Sequence, residues 1–447
     1  VTTPGSSVVP SGAASPAAAS DSRLLSALAP DELRAAHAGF ARAYADLMGK
    51  GLSLDLTRGK PSPEQLDLSN AMLALPGEED FRDDAGTDLR NYGGAAGLLP
   101  LRAIFSDVLR VPVEQLLALG NGSLGLMYDV VSHAMLHGVP GGSRPWSKEE
   151  VVSFLCPVPG YDRHFAITEQ FGVRMIPVPL TDEGPDPAVV ERLLASDPTI
   201  KGMWCVPVYS NPTGTVYSER VARALASVAA ADDFRLFWDN AYAVHHLTDE
   251  VAPPIDILAL AAEAGHPDRP FIFSSTSKIT FAGSGVGFFG SSPANVSWLL
   301  GLMAAQTIGP DKLNQLRHVR FLKDADGVTE HMRRHRAIIA PKFAAVAEIL
   351  RSRLAPYGAG TWTDPKGGYF VTLTVRSGCA KRVIELAAAA GIAITPAGST
   401  SPYRVDPDDA VIRIAPTFPS LADVRTAVDG LCTCVLLADA EARLAGA

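Results

Sequence analysis

Lys278 stands in the run FIFSSTSKITFAGSGVGFF, residues 271–289, directly behind four small hydroxyl residues: Ser274, Ser275, Thr276 and Ser277. An apolar stretch leads into this cluster and a glycine-rich turn follows it. Burial disfavours the ammonium form of a lysine and frees its lone pair. A neutral lysine in such a place suits Schiff-base chemistry with an aldehyde. The neighbouring hydroxyls suit a phosphate. The competing reading is a solvated surface lysine, because such a setting points to function only statistically.

Five more motifs carry candidate chemistry. Gly120–Ser123, GNGS, follows the apolar LLAL and opens a helix, where free N–H groups and the helix dipole bind anions; the alternative is a plain glycine turn. Ser210–Gly214, SNPTG, ends a strand, and its Asn211 amide can donate to a ring oxygen; the alternative is an ordinary Asn-Pro turn. Trp238–Tyr242, WDNAY, closes the strand FRLF. Asp239 at the end of a buried strand needs a partner. A protonated pyridine nitrogen, as in pyridoxal phosphate (PLP), would be one, and Tyr242 could reach the phenolic oxygen of the same ring. The alternative for Asp239 is a helix cap. Gly160–Phe165, GYDRHF, offers Tyr161 as a stacking ring or a rim aromatic. Ile412–Pro416, IRIAP, sets Arg413 in an apolar strand, where it requires either a bound carboxylate or a structural ion pair with an internal Asp or Glu.

In chain order these are a Gly/Ser turn, an aromatic, Asn-Pro, Asp-x-x-Tyr, Ser-x-x-Lys and an arginine. On this layout the chain resembles fold-type I PLP enzymes, and specifically the class I/II aminotransferases, over roughly residues 25–440. The stretches SLDLTRGKPSPEQLDLS and TPAGSTSPYRVDPDDAVIRIAPTFPS are similar to a bacterial aspartate aminotransferase-like subgroup. The resemblance implies a homodimer that moves an amino group between an L-amino acid and a 2-oxo acid, with aspartate and 2-oxoglutarate as the first pair. It implies that Lys278 bonds to the cofactor and then carries the substrate proton. Asp239 would hold the pyridine nitrogen, Asn211 and Tyr242 the 3′-oxygen, and Tyr161 the ring face, with Asn211 also facing substrate. Gly122, Ser123, Leu124 and Ser275 would hold the phosphate, joined by Tyr92 from the neighbouring subunit. Arg413 would clamp the substrate carboxylate and Gly59 would line its pocket.

One position departs from the pattern. Many relatives place an arginine shortly after the lysine, against the phosphate; here Gly285 or Val286 stands there. A cation for an acidic side chain is sought in 308–323, at Lys312, Arg317 or Arg320, whose plainer role is a solvated helix face. The second enzymatic reading is a PLP-dependent β-lyase or decarboxylase on the same fold. A non-catalytic PLP-binding sensor is the third, and it lacks the basic footprint of a DNA-binding protein.

The elements that must position these residues are apolar strands alternating with helices from residue 116 to 278, an α/β pattern with a mostly parallel sheet. Ligands in such sheets bind beyond the carboxyl ends of the strands, where all the candidate polar residues are expected. Asp31 is expected to cap a first helix near Glu32, and 53–61 to form a short alternating strand that ends in a turn. The last stretch changes character: a long helix HMRRHRAIIAPKFAAVAEILRSRLAPYG, a hairpin-like pair in TWTDPKGGYFVTLTV, another helix and strands, and a closing helix. The expected division is a disordered tail 1–22, a segment 23–75 joining the small domain, a large PLP-binding domain 76–330 and a small α+β domain 331–447.

A chain of 447 residues with 47% apolar and 19% charged residues has material for more than one core. Its net charge of −9 argues against a nucleic-acid surface. Five scattered cysteines do not make a disulfide framework, and the Cys432/Cys434 pair reads as two positions on a packed helix, not a metal site. The start, VTTPGSSVVPSGAASPAAAS, lacks the basic and apolar regions of a signal peptide. The apolar stretch around Trp298–Ala305, broken by Gly301, reads as a core helix; the cysteine usage leads to an expected reducing cytoplasm, and the resemblance implies a role in amino acid metabolism.

Overall fold

A computed structural model describes residues 24–446; the expected tail lies outside them. The strands in chain order begin with β1 (Leu54–Asp55), β2 (Leu116–Leu119), β3 (Ser153–Val158), β4 (Arg174–Thr181) and β5 (Gly184–Pro185). They continue with β6 (Ile200–Cys205), β7 (Arg235–Asp239), β8 (Pro270–Ser275) and β9 (Gly287–Gly290). The last four are β10 (Thr361–Trp362), β11 (Val371–Thr374), β12 (Ile392–Ala393) and β13 (Val411–Ile414).

The large sheet has the order β2-β9-β8-β7-β6-β3-β4-β5. Its centre, β8-β7-β6-β3-β4, is parallel, while β9 runs against both β8 and β2. The sheet is buried on both faces, and its strands alternate between two apolar layers. Phe154, Trp204, Phe237, Phe271 and Phe273 pack on one side. Leu155, Met203, Leu236, Trp238 and Ile272 pack on the other. Each such side chain contributes about 1.5–3 kcal/mol on leaving water.

A second core joins the two ends of the chain. Leu33, Leu47 and Leu56 pack with Leu373, Ile392, Ile414 and Leu431. The ladder of β1 with β12 is parallel and two residues long, while β10-β11-β13 form an antiparallel sheet. The expected strand at 53–61 therefore shrinks to Leu54–Asp55, because its partner offers only two residues. Helix Leu421–Ala445 buries Cys432 and Cys434, and all five cysteines are buried and free. Among the described residues no helix is long and apolar enough to cross a membrane.

Two helix starts differ from expectation. The first helix is Pro30–Met48, and Asp31 lies inside its first turn, paired with Arg34. Pro30 is suited to the first helical position, and the Glu32 carboxylate reaches back to the Ala29 N–H at 3.0 Å. The long helix begins at Ala325, well before His331, because Asp324 caps it by accepting from the Gly327 N–H.

Candidate active site

The parallel strands deliver side chains to one edge. Asp239 is the last residue of β7, Lys278 follows β8 by three residues, and Tyr161 follows β3. The turn 120–122 connects β2 to helix Ser123–His137. Arg413 is the exception to the expectation that every candidate sits at such an edge. It lies in the middle of β13, opposite Thr372, in the smaller sheet.

Lys278 is half-buried, and its Nζ lies 5.1 Å from the centre of the Tyr242 ring. Burial lowers its pKa below that of an ordinary lysine, with Asp239 pulling the other way. Asp239 is 2% exposed. Its Oδ2 faces His164 Nε2 at 3.0 Å, but its Oδ1 is buried with no partner. A buried carboxylate oxygen without a donor is costly. It is also what a protonated ring nitrogen would satisfy, so Asp239 fits the pyridine of PLP. Burial raises the pKa values of Tyr161 and Tyr242, and the charge of Asp239 adds to both shifts. Each therefore keeps its proton and can donate.

Asn211 follows β6 in a buried turn with a cis Asn211–Pro212 bond. Its Oδ1 accepts from Arg413 Nη1 at 3.4 Å. That contact leaves the amide nitrogen as the donor for a ring oxygen. Arg413 Nη1 also donates to Asp162 Oδ1 at 3.0 Å, and Nη2 donates to Thr395 Oγ1 at 3.3 Å. Its Nε is buried and unpaired. The ion-pair alternative is thus realised, with Asp162 as the partner.

At the phosphate end, Ser275 Oγ donates to Ser277 Oγ at 3.0 Å, and a Cβ on Gly122 would come 3.4 Å from that same Ser277 Oγ. Helix Ser123–His137 has no side-chain cap on its first N–H groups, so the cradle for an anion is open. Gly285 explains the missing arginine: a Cβ there would meet the Asn121 carbonyl at 2.9 Å and Thr276 Oγ1 at 3.2 Å. The backbone itself fills the place, and Asn314 holds it by donating to the Ser284 and Gly285 carbonyls.

Two assigned residues are exposed. Tyr92 is 81% exposed. Leu124 is 40% exposed. Gly59 packs against Phe370, whose Cζ would lie 2.4 Å from any Cβ there. The same Phe370 ring lies 4.9 Å from the Arg413 guanidinium, so Gly59 is small for the sake of that stack.

The three sought cations are each engaged elsewhere. Lys312 Nζ donates to the Asn91 and Gly93 carbonyls at 2.7 and 2.8 Å. Arg317 donates to the Leu75 carbonyl, and Arg320 pairs with Asp80. His164, Asp162, Phe370 and Thr395 were not among the assigned residues. Asp162 and His164 both lie in the motif GYDRHF, but nothing local in it marks their partners Arg413 and Asp239.

A further set surrounds the main chain of Lys278. His245 Nε2 faces the Lys278 carbonyl at 3.3 Å and Tyr369 Oη donates to it at 3.5 Å. His331 Nε2 faces the Ile279 carbonyl at 2.8 Å and His335 Nε2 at 3.2 Å. Gln65 Nε2 joins His335 Nδ1 to Tyr369 Oη, both at 3.0 Å.

With this geometry in place, the likenesses to known proteins are specific. The sequence profile of the family described as aspartate amino-transferase matches residues 28–446. A provisionally named aminotransferase of Mycolicibacterium smegmatis is 61% identical over 420 residues, 93% of this chain and 98% of that one. An aspartate aminotransferase of Corynebacterium glutamicum is 53% identical over 406 residues, 91% of this chain and 94% of that one. The solved structure of an aspartate transaminase from Corynebacterium glutamicum superposes with a TM-score of 0.92 at 52% identity, covering 94% of this chain and 99% of that chain.

Proposed function

The chain belongs to the aspartate aminotransferase family and is a PLP-dependent aminotransferase, and from that premise we propose that it exchanges an amino group between L-aspartate and 2-oxoglutarate as a homodimer. The observation that carries the cofactor reading is the orphaned Asp239 Oδ1 beside a lysine of lowered pKa. PLP, when bound, supplies an aldehyde for the amino group and a ring that stores the electron pair released at Cα.

This chain's residues do the rest. Asp239, Asn211, Tyr242 and Tyr161 hold the ring; Gly122, Ser123, Leu124 and Ser275 hold the phosphate. Arg413 binds the α-carboxylate with a planar fork suited to two parallel hydrogen bonds. Lys278, whose pKa burial lowers, takes the proton from the substrate Cα. The carboxylate on Arg413 fixes which bond at Cα faces that amine. Tyr92 belongs to the site of the partner subunit, which is why it leaves its own chain. Support for aspartate comes from the Corynebacterium glutamicum sequence and structure named for that substrate. The division into 76–330 and a smaller domain built from 23–75 and 331–447 belongs to the same reading.

The test is the visible spectrum of the PLP-loaded protein before and after L-aspartate, with no oxo acid present. A yellow protein that bleaches to the amine form of the cofactor is the expected result. A yellow protein left unchanged by aspartate removes the substrate, and release of pyruvate and ammonia replaces transfer by elimination. A protein that PLP cannot turn yellow removes the Lys278 assignment.

A further inference from the structure

We infer that Asp162 is an internal stand-in for the substrate carboxylate: it occupies Arg413 when the site is empty and must yield when an amino acid arrives. The inference rests on the reading of Arg413 as the carboxylate clamp. Arg413 is 7% exposed, and a guanidinium so enclosed needs a partner. Asp162 Oδ1 provides it at 3.0 Å on Nη1. The two side chains differ in how firmly they are held. Arg413 is pinned by Asn211 and Thr395 and lies over Phe370. The Asp162 side chain is 34% exposed, and Arg413 is its one side-chain partner among the described residues. It begins helix Asp162–Gln170, immediately after the predicted ring-stacking residue Tyr161. A ligand carboxylate approaching Nη1 therefore meets a like charge already in place. Asp162 is the group free to turn towards water.

An internal competitor has a two-sided signature. In the empty protein it neutralises a buried cation, so its removal lowers stability. In binding, its displacement subtracts from ligand affinity, so its removal raises affinity. A residue with only a structural role would weaken both.

The experiment uses the PLP-loaded protein and succinate, a carboxylate that cannot react. Calorimetric titration and thermal denaturation are carried out on the wild type, Asp162→Asn and Arg413→Lys. Asp162→Asn is expected to melt earlier yet bind succinate about two- to fivefold tighter, the effect of releasing a part-exposed ion pair. Succinate affinity that is unchanged or reduced in Asp162→Asn overturns the inference. Should that variant not fold, Asp162→Ser, which suits a helix start, carries the same expectation. Arg413→Lys separates the two readings. If it binds succinate as well as the wild type does, the clamp itself is misassigned; if it loses binding while Asp162→Asn gains none, only the stand-in fails.

Discussion

Asp239 has one carboxylate oxygen answered by His164 and one left bare. His164 in turn stacks on Trp204, with ring centres 4.4 Å apart and planes within 9°. Replacing it by phenylalanine keeps that stack but strips the carboxylate of its protein donor. His164→Phe is expected to cost about 1–3 kcal/mol, the usual cost of a buried polar group left unpaired. A urea denaturation series on the apoprotein checks this, and an unchanged midpoint would show that Asp239 finds another donor. Lys278, Asp239, Asn211 and Tyr242 could be named as candidates from the sequence because each closes a local strand-and-turn motif. His164 could not, because its meaning depends on a residue 75 positions away. The partners of Lys312, Arg317 and Arg320 were hidden for the same reason: the carbonyls and the carboxylate that engage them lie more than 200 positions earlier in the chain.

At the scale of elements, Lys278 depends on more than its own strand. Helix Pro63–Asp67 sends Gln65, helix Ala325–Arg353 sends His331 and His335, and the approach to β11 sends Tyr369. Together they meet the carbonyls of Lys278 and Ile279. His335→Leu would leave Gln65 and His331 each short of a buried contact. The expected loss is about 1–3 kcal/mol for each group stranded. A urea denaturation series on the apoprotein measures that loss; a midpoint identical to the wild type would count against the network. Strand and helix order were readable from apolar periodicity, as the alternation from β2 to β8 shows. Element ends were less so. Asp31 looked like a cap because it is a good one in general, yet Pro30 and Glu32 together set the start two residues back.

The whole molecule carries an acid sensitivity set by its enclosed histidines. Burial, first among the causes, pushes the pKa of His245 and of His335 down to about 3, and that of His318 to about 4. In the unfolded chain each would take a proton near pH 6.5. Between those values the unfolded chain binds more protons than the folded one. The stability these groups contribute is therefore complete above about pH 6.5 and drains away as the pH falls towards 4 and then 3. A lower urea midpoint at pH 5 than at pH 7.5 is the expected outcome; equal midpoints would mean these rings are not held neutral. The two-core plan was foreseeable from the changed character of the last hundred or so residues. That the first helix closes against the last, through Leu47 and Leu431, is a long-range fact that only packing reveals.

Lys312 ties down the carbonyls on either side of Tyr92, while Tyr92 itself stands 81% exposed. A residue so firmly presented and so little used at home has a genetic consequence. Chains bearing Lys278→Ala and chains bearing Tyr92→Ala would each be defective as pure populations. In the proposed homodimer, mixed chains would pair so that one site of the two receives an intact lysine from one chain and an intact tyrosine from the other. Two broken alleles expressed together should then recover up to about half the activity per hybrid dimer, a complementation measurable by unfolding and refolding the two variants in a mixture. Refolded mixtures no more active than the separate variants would mean that each chain completes its own site.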